Sequence, residues 1–90
     1  MSIYLVSYDL RAPGRNYQNL HNYLDSFPSW AKPLESVWLI ETSLTAVQLR
    51  DGVFQHVDAN DQVFVVDVTK QPTAWRNLGA KVVEWINSKW

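Results

Sequence analysis

Ser29-Trp30-Ala31-Lys32-Pro33-Leu34-Glu35-Ser36-Val37-Trp38-Leu39-Ile40-Glu41 is the stretch that decides the architecture of this chain. Ser36 to Glu41 is rich in β-branched and aromatic side chains and reads as a strand. Ser29 to Glu35 reads as a shorter extended piece. Pro33 has no N–H to donate, which confines that piece to a sheet edge or a bulge. Glu35-Ser36 alone separates the two, so they form a tight hairpin or one bent strand. If Ser29 to Pro33 is a strand, the sheet has four strands; if it is loop, the chain is an open three-stranded α/β sheet.

The preceding segment opens with Ile3-Tyr4-Leu5-Val6-Ser7-Tyr8-Asp9. It is short and nearly continuously apolar, as expected of a central strand covered on both sides, or on one side plus an interface. Leu10 to Arg15 follows, with Pro13-Gly14 as a turn signal. Asn16 is a suitable helix cap. Tyr17, Leu20, Leu24 and Phe27 then recur at helical spacing, and Pro28 stops the helix. Beyond the deciding stretch, Thr45 and Gln48 have capping-box spacing and Leu44 can staple against Leu49. Ala46, Leu49, Val53 and Val57 mark the buried stripe of a second helix. Gly52 interrupts it at a cost of about 1 kcal/mol relative to Ala. Asp58 to Asp61 is an exit loop, Gln62 to Thr69 a strongly patterned strand, and Lys70-Gln71-Pro72 its end. From Gly79 the tail is helical, with Val82, Val83, Ile86 and Trp90 on one side and Trp75 and Leu78 expected beneath.

The order β, α, short β, β, α, β, α predicts an α+β fold. The expectation is a ferredoxin-like βαββαβ sandwich with an extra C-terminal helix. Residues 1–90 form a single domain, its core at about 2–69 and a helical appendage at about 73–90.

Composition narrows the function. Forty-seven per cent of residues are hydrophobic and 19% charged, which excludes a disordered chain. Five Trp in 90 residues exceed what a small core readily hides, which points to surface or interface positions and a homodimer. Without cysteine there is no disulfide framework and no thiolate metal site. No apolar run is long enough for a membrane span, and the Met1-Ser2-Ile3-Tyr4 start has no secretory pattern, so the expected compartment is the cytoplasm. Net charge is −1 and no two basic residues are adjacent, unlike the clustered basic surface of a strong nucleic-acid binder.

Asp9 is the site candidate. A carboxylate where an apolar strand gives way to a loop is well placed to bind a divalent cation or polarise a water. It equally suits a turn in which it satisfies backbone donors. One carboxylate is a poor site; two, joined by a two-fold axis, suit Mg²⁺. Arg11 and Arg15 follow and can contact phosphate oxygens, and Asn16 at a helix start adds backbone N–H donors. His21 and His56 lie on separate helices without zinc spacing. No P-loop, dinucleotide-binding glycine motif or nucleophile elbow is present. Tyr4, Tyr8, Trp38 and Phe64 are candidates for a base-stacking platform or, more simply, for core and dimer contacts.

Three segments together carry a resemblance: Tyr4 to Leu10 with its Pro-Gly loop, Leu34 to Ile40 with the capped helix from Leu44 to Asp58, and Val63 to Thr69. The pattern resembles small proteins of the SinR family, related to the second CRISPR-associated protein, an endoribonuclease-like adaptation subunit, and to VapD-type toxins. The resemblance implies a ferredoxin-like homodimer in which Asp9 is the catalytic, metal-binding carboxylate and Ser36 lies near it in the phosphate-binding set. It implies Mg²⁺ or Mn²⁺ between two Asp9 residues, activating water for attack on a phosphodiester. This chain departs from the CRISPR subunit, which has a more basic loop and first helix and ends in an extra strand, in having no Lys or Arg in its first helix and a tail that reads as helical.

Two functions follow as expectations. One is a metal-dependent nuclease of a defence or toxin–antitoxin system, acting on RNA or DNA. The other is a non-catalytic dimeric module binding nucleic acid or protein.

Overall fold

The computed structural model describes residues 1–11 and 17–90. The elements run β1 (Ser2–Asp9), α1 (Gln18–Asp25), β2 (Trp30–Leu34), β3 (Val37–Thr42), α2 (Ala46–Phe54), β4 (Gln62–Asp67) and α3 (Ala80–Lys89). Trp30 to Leu34 is a strand, so the sheet has four strands, in the order β2-β3-β1-β4. Every neighbouring pair is antiparallel. β2 and β3 form a hairpin turning at Glu35 and Ser36, and β2 is an edge strand whose register shifts between Ala31 and Leu34, around Pro33. That is the position proline permits, because its missing N–H faces no ladder partner.

Strand alternation sorts the apolar residues into two layers. Tyr4, Val6 and Tyr8 of β1 and Trp38 and Ile40 of β3 meet Leu20 and Leu24 of α1 and Leu49 and Val53 of α2. Six of these side chains (Val6, Leu20, Leu24, Ile40, Leu49 and Val53) are wholly buried, each contributing about 1.5–3 kcal/mol by leaving water. The opposite face carries Ile3, Ala31 and Leu39, packed against Ile86 of α3 with Val82, Trp85 and Trp90 at the margins. α3 therefore covers part of the second face, on the side of β2. Glu41 of β3 holds it through an ion pair with Lys89 at 3.0 Å, and Trp85 Nε1 donates to Ser29 Oγ at 3.1 Å.

The local signals explain the helix ends. Thr45 accepts from the Gln48 N–H while Gln48 Oε1 accepts from the Thr45 N–H, closing the capping box expected from their spacing. α1 begins after Tyr17 with no side-chain cap; Asn16, expected to fill that role, lies outside the described residues, as do Pro13 and Gly14. Gly52 has a packing role that its low helix propensity concealed. A Cβ there would lie 2.0 Å from Tyr23 Oη and 2.7 Å from Tyr23 Cζ, so the bare backbone lets α1 rest against α2. Beyond β4, residues 70–79 cross the second face without regular structure, with Lys70 and Asn77 at φ of 54° and 63°. Trp75 does not pack beneath α3. It is 41% exposed, while Trp85 takes the buried margin instead.

Candidate functional site

β1 pairs on one side with β3 and on the other with β4, with Asp9 opposite Gln62. Odd-numbered residues of β1 face away from α1 and α2. Asp9 therefore stands at the end of the second face, beyond the part that α3 covers. Ser7, Asp9, Gln62 and Phe64 line an open depression of about 360 Å³ there. Phe64 is 64% exposed and supplies its apolar wall.

Asp9 is already engaged. Its Oδ2 accepts from the Arg11 guanidinium at 2.8 Å, and the same nitrogen reaches Gln62 Oε1 at 3.3 Å. Both partners of the ion pair are more than half exposed, the range in which such pairs add little stability. The sequence thus brings Asp9 and Arg11 together, but as partners of each other. Ser36 is at the same end of the sheet, its carbonyl accepting the Tyr8 N–H at 3.2 Å. Its register position is opposite Tyr8, which belongs to the helix-covered face, and it does not line the depression beside Asp9. Arg15 and Asn16 lie outside the described residues.

The donors on this face are hard oxygens of the kind Mg²⁺ prefers, but one protomer offers one carboxylate, already facing a guanidinium. Among the described residues no three His, Asp or Glu side chains gather as a metal-ligand set.

Of the four aromatics considered for base stacking, Tyr4, Tyr8 and Trp38 lie under the helices and are buried. Trp38 Nε1 donates to Tyr8 Oη at 3.1 Å, and Tyr4 Oη donates to the Leu44 carbonyl at 2.8 Å, so both tyrosines anchor the core. Phe64 alone of the four faces solvent, because it is the one on the second-face parity.

Asp61, read in the sequence only as part of an exit loop, is the organiser of this end of the sheet. It is 6% exposed. Its carboxylate accepts from the Arg11 N–H at 2.6 Å, the Tyr17 hydroxyl at 2.8 Å and the Asp58 N–H at 2.7 Å. It thereby ties the chain after β1, the start of α1 and the end of the α2–β4 loop to one buried charge. An aspartate followed at once by an apolar strand was the available signal, but such residues are common in exposed turns.

No family model matches this chain, and no solved structure matches it to significance. Among the described residues no helix is long and apolar enough to cross a membrane.

Proposed function

We propose that this chain is a ferredoxin-like, homodimeric binding module that works through the uncovered part of its sheet rather than by catalysis. The strand order β2-β3-β1-β4, with α1 and α2 on one face, supports the ferredoxin-like assignment. The observation that carries the binding reading is the bare strip beside β1: Phe64 is 64% exposed and Val66 36% exposed, two apolar side chains on the same face of one strand. Apolar side chains of that size on a strand mark a surface meant to be covered. The strip is rimmed by one neutralised Asp9–Arg11 pair, and the whole chain carries a net charge of −1. Such a surface matches a protein, beginning with a second copy of the chain, better than a polyanion.

A second reading is favoured by one specific feature. The Asp9 carboxylate is 61% exposed at a strand end, in reach of a ligand, as expected for a metal-dependent nuclease of the SinR-like type. In that reading two Asp9 residues meet across a dimer axis around Mg²⁺ or Mn²⁺, and each Arg11 must release its carboxylate first.

Cleavage of single- and double-stranded RNA and DNA by wild type and Asp9→Asn, with Mg²⁺, Mn²⁺ or EDTA, separates the two. The binding-module reading expects no metal-dependent product from either protein. Metal-dependent cleavage that disappears in folded Asp9→Asn overturns it in favour of the nuclease.

A further inference from the structure

The two edges of the sheet are built differently. β2 carries Lys32 and Pro33, and its register with β3 is broken between Ala31 and Leu34. Charge, proline and irregularity are the devices by which an edge strand avoids recruiting another strand. β4 has none of them from Gln62 to Val66. The sequence there is Gln-Val-Phe-Val-Val, and its register with β1 runs unbroken from Tyr4–Asp67 to Asp9–Gln62.

The direction of the free groups follows from the ladder. The Val68 N–H donates to the Ile3 carbonyl at 2.8 Å. In an antiparallel pair bonding alternates along the strand, so Val66, Phe64 and Gln62 also turn their backbone groups toward β1. Val63, Val65 and Asp67 therefore turn theirs away from the sheet. Exposed apolar side chains stand on both faces beside this row, with Arg50 and Asp51 of α2 near them on the helix side. Phe64 and Val66 stand exposed on one; on the other, Val47 and Phe54 of α2 are 55% and 43% exposed. Phe54 borders Val63 across a depression of about 500 Å³.

We infer that β4 pairs antiparallel with β4 of a second copy about a two-fold axis at Val65, joining two four-stranded sheets into one. This rests on the homodimer reading above and names its contact. The occupant is a second copy because the strand is complementary to itself in this register. Val65 meets the partner's Val65, and Phe64 meets the partner's Val66, an aromatic and β-branched pair of the kind that stabilises sheets. Asp67 falls opposite the partner's Val63, so no like charges are opposed. The outward N–H and C=O groups find partners, and Phe64 gains an apolar neighbour on its open side without any other sequence being needed. The axis lies away from Asp9. Three residues of rise on each side and three strand spacings put the two Asp9 positions about 25 Å apart, too far to share a metal.

The absence of native cysteine makes the register directly testable. Phe64→Cys and Val66→Cys are prepared separately, mixed and mildly oxidised. A non-hydrogen-bonded antiparallel pair brings its Cα atoms to about 4.5 Å, within disulfide range. The expected result is a covalent dimer from the mixture in clear excess over either variant alone. In parallel, Val65→Pro removes an outward N–H without touching the ladder to β1, and sedimentation is expected to show dimer affinity reduced about tenfold or more. Phe64→Lys, at an exposed position, gives the same weakening without altering the backbone. Circular dichroism confirms that each variant is folded. A wild-type dimer that persists in folded Val65→Pro and Phe64→Lys, with no preferential 64–66 cross-link, overturns the edge pairing while leaving the homodimer standing. A wild-type protein that is monomeric at every concentration overturns both.

Discussion

Replacing Gly52 by Ala should destabilise this protein, although the helix-propensity scale says the reverse. Gly52 lies inside α2, where Ala is favoured by about 1 kcal/mol. Against that stands a Cβ placed 2.0 Å from Tyr23 Oη and 2.7 Å from Cζ, distances that non-bonded atoms do not adopt. The Tyr23 ring must move. It is held edge-on to Phe27 at 5.3 Å between centroids and lies 4.9 Å from the His56 ring. Overpacking of this kind costs about 1–3 kcal/mol. Subtracting the propensity gain leaves a net loss of about 1 kcal/mol, a fall in Tm of about 4–8 °C for a domain of this size. The assay is urea or thermal unfolding of wild type, Gly52→Ala, Tyr23→Ala and the double variant. With the ring gone, Ala at 52 should gain the propensity term, so the cycle should show a coupling of about 2 kcal/mol. Gly52→Ala that is stabilising in the presence of Tyr23, or a coupling near zero, refutes the close-approach account.

Two further outcomes follow from the charged groups. Asp61→Ala strips the acceptor from the Arg11 N–H, the Tyr17 hydroxyl and the Asp58 N–H together, and should cost about 3 kcal/mol or more in chemical denaturation; Asp61→Asn, which keeps an acceptor oxygen, should cost less. Glu41 titrates below its ordinary range, chiefly because Lys89 donates a hydrogen bond to it and secondarily through that cation's charge, with burial opposing. A lowered carboxylate pKa stabilises the fold fully above the unfolded value of about 4.3 and loses that contribution as pH falls through the folded value. The stability gap between wild type and Lys89→Gln, followed by Trp fluorescence at α3, should therefore be open at neutral pH and close in acid; a gap independent of pH contradicts the assignment.

The parts of this fold legible in the sequence were those where local chemistry and tertiary packing agree. The Thr45–Gln48 cap is one, because both its bonds are made within four residues. The Leu20–Leu24 and Leu49–Val53 stripes are others, since the helical period alone puts each pair on one face. Gly52 misled because its reason lies on another helix: propensity counts the residue, whereas the structure counts the Tyr23 ring beside it. Of the two residues expected beneath α3, Leu78 packs against the cluster around Ile86 and Trp75 is left exposed. The path of residues 70–79 across the sheet, with Lys70 and Asn77 at positive φ, places Leu78 and not Trp75 against it, and helical spacing does not reach into that stretch. At the site, Asp9 and Arg11 were legible as neighbours, but not their bond to each other. The organising role of Asp61 depends on a loop coming back beside Arg11 from 50 residues away.

The position of α3 bears directly on the choice between the two functional readings. Stacking the second sheet faces of two copies near the end of β1 is one way to bring two Asp9 carboxylates to a shared axis. α3 already occupies that face over Ala31 and Leu39, and residues 70–79 cross it beside Leu5. What is left is the narrow strip of Ser7, Asp9, Gln62, Phe64 and Val66 along β1 and β4. A strip at the margin of a sheet is poorly placed for face-to-face stacking but continuous with the β4 edge. Pairing at that edge extends the strip across the two-fold rather than closing over it. It leaves Asp9 bonded to Arg11 and open to solvent in each subunit, and it produces one wide surface with two separated acidic–basic pairs. That arrangement suits the recognition of an extended protein surface.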